Sequence, residues 1–421
     1  MTAAVRGLSL RPVLVVFLLA TCFLSLAFGF NLAEPGENER FGAFELESDD
    51  LVTYVVRKNE PSPGGFLGFQ GEMYLSQFGL QGRVFRAGAR VLGRRVLVYG
   101  PGGAVLLLSM TLALLLARLY EPLGASGTLV ATCLLGASKW LAYFASSVYW
   151  VSFSFLLPFV VVWLLYDHRW DARGFRVILL VNTALLFARA LCGYEFLPTI
   201  AIASAVPILV LDLAHRGFSR LTAARIGMIG GGSVVALAAA LTVHLAAATV
   251  ATGSFQAAKA AVSERALTRS SISDTLPAEP AALTESLKFR RVMDLVRPHC
   301  GITCRRAVIV GMFLGHPAVR IPVAGVPVPI GAFLLLGAWL FWLHARRGGL
   351  AAAMQPTGLR SALALSLPLA LVAALVWPVM ALNHVLDHLH LDAIVFYIPF
   401  LPLVYLSLGA EVKARVSRHA G

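Results

Sequence analysis

The chain has 421 residues, of which 58% are hydrophobic and only 14% charged. Soluble domains carry about 45–50% apolar and about 25% charged residues, so a soluble globular protein is excluded. The net charge of +13 does not argue for nucleic acid. No aromatic–basic binding module accompanies it, and arginines in short loops fix the orientation of membrane helices. The fold class expected is all-α, a polytopic bundle forming one transmembrane domain over 1–421.

In chain order, the first apolar run is 11–30, behind Arg6 and Arg11. It is longer than the roughly 7–15 apolar residues of a secretory signal, and no small-x-small cleavage pattern precedes Asn31, so it reads as a retained helix. A long loop, 31–96, follows. Its first third is acidic, with Glu34, Glu37, Glu39, Glu45, Glu47, Asp49 and Asp50 against Arg40. Pro61–Gly65 breaks it. Its last third carries Arg83, Arg86, Arg90 and Arg94, spaced three or four apart. That spacing puts the arginines on one face of an amphipathic helix lying on the outer leaflet, among headgroups, with Val84, Phe85 and Val91 turned elsewhere.

Nine further spans are expected near 97–118, 126–144, 148–166, 175–191, 194–213, 225–250, 324–344, 361–382 and 392–411, about ten in all. The Pro- and Gly-rich run 308–326 is a candidate for dipping into the bilayer. With the N-terminus inside, the inner loops hold Arg118, Arg169, Arg173, Arg176, Arg216, Arg220, Arg225, Arg346, Arg347, Arg360, Lys413, Arg415 and Arg418. The outer turns Ser146–Tyr149, Cys192–Glu195 and Asn383–Asp392 hold no lysine or arginine. Both termini are therefore expected in the cytoplasm of a bacterial cell, with the protein in the inner membrane. A second long outer loop, 251–306, contains Cys300 and Cys304, a candidate local disulfide on the oxidising side. His299 with two cysteines is too small a set for a closed zinc site.

Polar residues near the outer ends of the spans are the candidates for chemistry. They are the acids Glu47, Asp49 and Asp50; Lys139; Arg189 with Tyr194 and Glu195; and the loop with His384, Asp387, His388, His390 and Asp392. Ionisable groups inside spans cost a few kcal/mol on insertion scales and usually face a cavity or a partner. Lys139 and Arg189 alternatively snorkel to the interface. His384 and His388 share a helical face, so they could ligate zinc or manganese or donate to a phosphate, while a polar interfacial turn is the plainer outcome. His244 reads as a packed or hydrogen-bonded histidine, and Asp212 as the partner of a nearby arginine. No Walker A, dinucleotide-binding or nucleophile-elbow pattern occurs, so ATP-driven transport and serine hydrolysis lack support.

The acidic first outer loop, the short helices after it and the many-helix body resemble the GT-C class of membrane glycosyltransferases. The run Tyr74–Gly82 and the turn Cys192–Glu195 are similar to those of bacterial membrane proteins of GT-C-like layout. The resemblance implies an inverting transfer of a hexose or pentose from a polyprenyl-phosphate donor on the outer face. The acceptor would be a glycan, a lipid or a protein. It also implies that Asp49, or Glu47 or Asp50, takes the acceptor's proton. Lys139, Arg189 and His384 would steady the leaving phosphate, and an apolar groove would hold the polyprenyl tail. A magnesium or manganese ion could sit on the carboxylates but is not required. The acids lie fifteen or more residues beyond the first span, further than in some members. Two other classes stay open: a transporter or lipid flippase, and a non-catalytic assembly factor. Convergence of the acids and cations on one outer cavity separates the first from both.

Overall fold

The computed structural model describes residues 10–33, 46–58, 66–69, 72–169, 172–270, 302–315, 321–323, 326–352, 354–381, 384–385 and 389–419. In order, the helices are α1 (Leu10–Gly29), α2 (Leu46–Lys58), α3 (Leu80–Leu92), α4 (Val96–Arg118), α5 (Tyr120–Gly136), α6 (Lys139–Ala145) and α7 (Phe153–Leu165). Then come α8 (Ala172–Cys192), α9 (Leu197–Ala203), α10 (Val206–His215), α11 (Arg220–Thr252) and α12 (Phe255–Ser270). The last are α13 (Ile302–Gly315), α14 (Ile330–Ala352), α15 (Gly358–Leu365), α16 (Leu367–Met380) and α17 (Phe400–His419).

The chain is a multi-pass helical membrane protein. Seven stretches of the described residues are long and apolar enough to cross a bilayer, or eight if α5 and α6, bent by 64° at Ala137–Ser138, count as one. The other two expected spans fall on shorter apolar helices, Phe153–Leu165 and Ile330–Arg346. Two small antiparallel hairpins depart from the all-helical expectation. They are β1 (Leu67–Phe69) with β2 (Glu72–Tyr74), and β3 (Ile321–Val323) with β4 (Val326–Val328).

The connections alternate between two ends of the bundle, named here for Asp49 and Asp212. At the Asp212 end, Asp212 accepts from Tyr166 Oη at 2.7 Å and from Thr222 Oγ1 at 2.9 Å. Arg225 lies 3.9 Å from the same carboxylate and donates to Tyr166 Oη, so the expected arginine pairing holds. Glu411 receives Arg360 through two bonds of 2.5 and 2.6 Å and His344 at 2.9 Å. Lys413 Nζ donates to the carbonyls of Glu121 and Pro122. Between the ends, α5 and α17 cross with their backbones in contact: a Cβ on Gly127 would lie 2.5 Å from the carbonyl oxygen of Gly409. Only glycine permits that approach.

At the Asp49 end, α2 and α3 pack on the first hairpin. The arginine face of α3 is arranged differently from the expectation. Arg83 stacks 4.2 Å over the Phe78 ring and Arg86 donates to the Phe66 carbonyl at 3.2 Å, while Val84 and Val91 are 63% and 84% exposed. The loop's own ring and carbonyl offer these cations partners that a headgroup would otherwise supply, and the valines are left outward. Cys304 is disulfide-bonded; Cys300, its expected partner, lies outside the described residues.

Candidate functional site

The Asp49 end is built around Phe196. This residue is fully buried and sits at φ 60°, a left-handed conformation that bulky side chains seldom adopt. Nearby Val151, at φ 49°, is a β-branched residue in the same region. Such positions cost about 1–3 kcal/mol each and cluster at functional sites. The ring of Phe196 meets Trp150 at 5.6 Å, Phe155 at 5.6 Å, Trp377 at 5.2 Å and His384 at 6.3 Å. Four loops and helices distant in sequence therefore share one aromatic hub.

Three of the expected site residues join this hub. Asp49, on α2, accepts from Ser147 Oγ at 2.7 Å and from the Tyr149 N–H at 2.9 Å, both on one carboxylate oxygen. The neighbouring ring, Tyr149, packs on Trp150 at 5.1 Å. Arg189, in the last turn of α8, is 3% exposed, so it does not snorkel. It lies 4.7 Å over Phe155 and donates to the Glu195 carbonyl at 3.1 Å. His384 places Nδ1 3.0 and 3.1 Å from the two oxygens of fully buried Asp392. A carboxylate only accepts, so His384 carries a proton on Nδ1. Trp377 Nε1 donates to the same carboxylate at 2.8 Å.

The remaining expected residues divide. Lys139 begins α6 at the 64° break, with Nζ 5.4 and 5.5 Å from the Trp140 and Tyr143 rings. Asp50 pairs with Arg57, one residue short of the end of its own helix. Glu195 is buried beside Gly193. The side chains of Glu47, Asp387, His388 and His390 lie outside the described residues. Among the described residues no three His, Cys, Asp or Glu side chains gather in a metal-binding set.

Sequence reasoning missed several members. Gln81 donates to the Tyr149 carbonyl at 3.1 Å, one peptide from the N–H that Asp49 accepts. Buried polar atoms without a hydrogen-bond partner concentrate here: Ser76 Oγ, Gln77 Nε2, Gln81 Oε1, Trp150 Nε1, Ser152 Oγ and Arg189 Nε. Each such atom costs about 1–3 kcal/mol, which a bound polar molecule would relieve. His244 binds Tyr194 Oη through Nδ1 at 2.9 Å and the Leu75 carbonyl through Nε2 at 3.0 Å. Burial, and then the Glu195 carboxylate, push the Tyr194 hydroxyl above its ordinary range, so it stays a neutral hydroxyl.

An apolar cavity of about 800 Å³ opens beside the hub. Tyr194, Ser76 and Trp377 line it, as do Leu186, Ile202, Ile226, Gly230, Leu241 and Leu369. Along α11 it extends from Ile226 to Leu241, about 22 Å at the helical rise. Trp377 thus has one side on the cavity and its indole N–H on Asp392. Trp377 is the residue through which the aromatic hub, with its His384–Asp392 pair, meets the apolar cavity. Compared with protein-family models, with curated proteins and with solved structures, the chain matches none.

Proposed function

We propose that the protein is a glycosyltransferase of GT-C layout, using a sugar carried on a polyprenyl phosphate. The observation that carries the reading is the hub: Asp49, Arg189 and the His384–Asp392 pair are all within two or three contacts of Phe196. The lateral cavity borders this hub at Trp377, which packs on Phe196 and donates to Asp392. Membrane enzymes acting on lipid-borne substrates need this pairing of a polar centre with an apolar berth.

In the proposed reaction the acceptor's hydroxyl oxygen attacks the anomeric carbon. The bond from that carbon to the phosphate oxygen breaks, and polyprenyl phosphate leaves with the electron pair. Asp49 takes the acceptor's proton. Arg189 supplies positive charge to the departing phosphate, to which His384 donates a hydrogen bond only when Nε2 also carries a proton, and attack from the opposite face inverts the configuration. The Asp49 end then faces outward from the inner membrane of a bacterium, with both termini cytoplasmic. The distribution of lysine and arginine supports this orientation.

The test uses purified protein in proteoliposomes with polyprenyl-phosphate hexoses and an extract of envelope lipids, following glycosylated product by mass spectrometry. Asp49→Asn is expected to lower product formation at least about a hundredfold, within the range for losing a general base, without changing thermal unfolding. Product at the wild-type rate would remove Asp49 from the role. Labelling of Val91→Cys and Arg220→Cys, both exposed positions at opposite ends of the bundle, with an impermeant thiol reagent in whole cells tests the orientation; only the first should react.

A further inference from the structure

The cavity carries information about the head group of the lipid it holds. Its described lining residues include no lysine, arginine or histidine. Only two hydroxyl-bearing side chains stand at its Asp49 end, Ser76 and Tyr194, and Ser76 Oγ is buried with no hydrogen-bond partner. The polarity of Tyr194 follows from the other side of His244. The Leu75 carbonyl oxygen, 3.0 Å from His244 Nε2, can only accept, so Nε2 carries the hydrogen. In the neutral imidazole Nδ1 is then the acceptor, and the Tyr194 hydroxyl donates to it across 2.9 Å. Tyr194 is left with lone pairs and no proton to give.

We propose that this cavity selects a lipid with an uncharged, hydroxyl-bearing head group, and that this lipid is the sugar acceptor and not the phosphate-borne donor. An alcohol can donate to Tyr194 and accept from Ser76. A phosphate diester, or a fully ionised monoester, accepts only, so it finds one donor, no cation and an opposed oxygen. His244 is the positioning residue that fixes this preference from α11. The head-group preference stands on the hydrogen-bond geometry alone. Assigning the lipid as acceptor rests on the transferase reading above.

The experiment compares two lipids with identical tails, dioleoylglycerol and dioleoyl phosphatidic acid, titrated into the full-length protein in detergent at about pH 9, where the phosphate monoester is fully ionised, and read by native mass spectrometry. The wild type should bind the glycerol about tenfold more tightly, the worth of a gained hydrogen bond against a mismatched one. His244→Phe should erase that ratio by freeing the Tyr194 proton. Ser76→Ala, a milder change, should weaken the glycerol several-fold without helping the acid. Gly230→Phe should exclude both lipids, since a Cβ at Gly230 meets nothing within 4 Å and the ring would enter the cavity. A preference for phosphatidic acid, binding of neither lipid, or an unchanged ratio in His244→Phe would each overturn the proposal. No turnover is measured, so failure here is distinguishable from failure of the Asp49 test.

Discussion

The two ends of the bundle bury polar groups in opposite ways. Around Asp212 each carboxylate oxygen has a donor, from Tyr166 and Thr222, and Arg225 adds its charge. Glu411 is likewise held by Arg360 and His344. Around Phe196, by contrast, Ser76, Gln77, Gln81, Trp150, Ser152 and Arg189 each keep a buried atom with no partner. Saturated networks of the first kind tie helix ends together. Unsaturated ones of the second kind give up stability at a place where a ligand can return it. The comparison separates clamp from site without any knowledge of the ligand.

That separation can be broken, most decisively at the clamp. Arg225→Met leaves Asp212 and Tyr166 facing a missing charge in a buried network, and removing one partner of such a pair costs about 3–5 kcal/mol. Unfolding in detergent, followed by circular dichroism, should show that loss. Wild-type stability would mean that the Asp212 network is not a clamp. Arg360→Met removes two charge-assisted bonds from Glu411 at a partly exposed position, and about 1.5–3 kcal/mol is expected in the same assay.

At the other end the sign should change. Gln77→Leu exchanges an unpartnered amide nitrogen for apolar surface, so stability should hold or rise by up to about 1 kcal/mol. A fall like that of Arg225→Met would show that Gln77 is bonded after all and would blur the contrast. The smallest effect concerns His168, stacked at 4.2 Å on His215 at the Asp212 end. Burial first, then the charge of His215, hold His168 below the ordinary histidine value of 6.5. The folded state thus binds this proton less readily than the unfolded chain. Stability contributed by the neutral ring is present above pH 6.5 and falls as pH drops below it. In His168→Gln the stability curve between pH 7 and pH 5 should be slightly flatter; an unchanged slope would assign the acid loss to other groups.

Much of the architecture was legible because it depends on composition. Apolar runs mark the helices, and the absence of lysine and arginine from Ser146–Tyr149 and Cys192–Glu195 marks the end to which those turns belong. Asp49, Arg189 and His384 could be singled out because charge near an apolar run is conspicuous. Their common neighbour could not. Phe196 is one of 25 phenylalanines, and nothing local announces a left-handed backbone or contacts to residues 150, 155, 377 and 384. Trp377 was equally silent, and Asp392, although singled out with the histidine loop, could not be paired with it from sequence, because their bond joins residues fifteen apart across a loop. The partners on the face of α3 were hidden for a related reason. Spacing gave the arginine stripe, but only the folded loop supplies the Phe78 ring and Phe66 carbonyl that engage Arg83 and Arg86, while Arg90 and Arg94 stay exposed.

The contact between Gly127 and Gly409 constrains how the molecule can move. Two helices whose main chains touch have no side-chain layer to slide on, so α5 and α17 travel as one rigid stave. Elsewhere in the bundle, α11 runs 33 residues and turns back through Gly253 into α12. Val262 of that returning helix borders the cavity, whose lining includes neither Gly127 nor Gly409, so the tight crossing and the hollow occupy separate parts of the bundle.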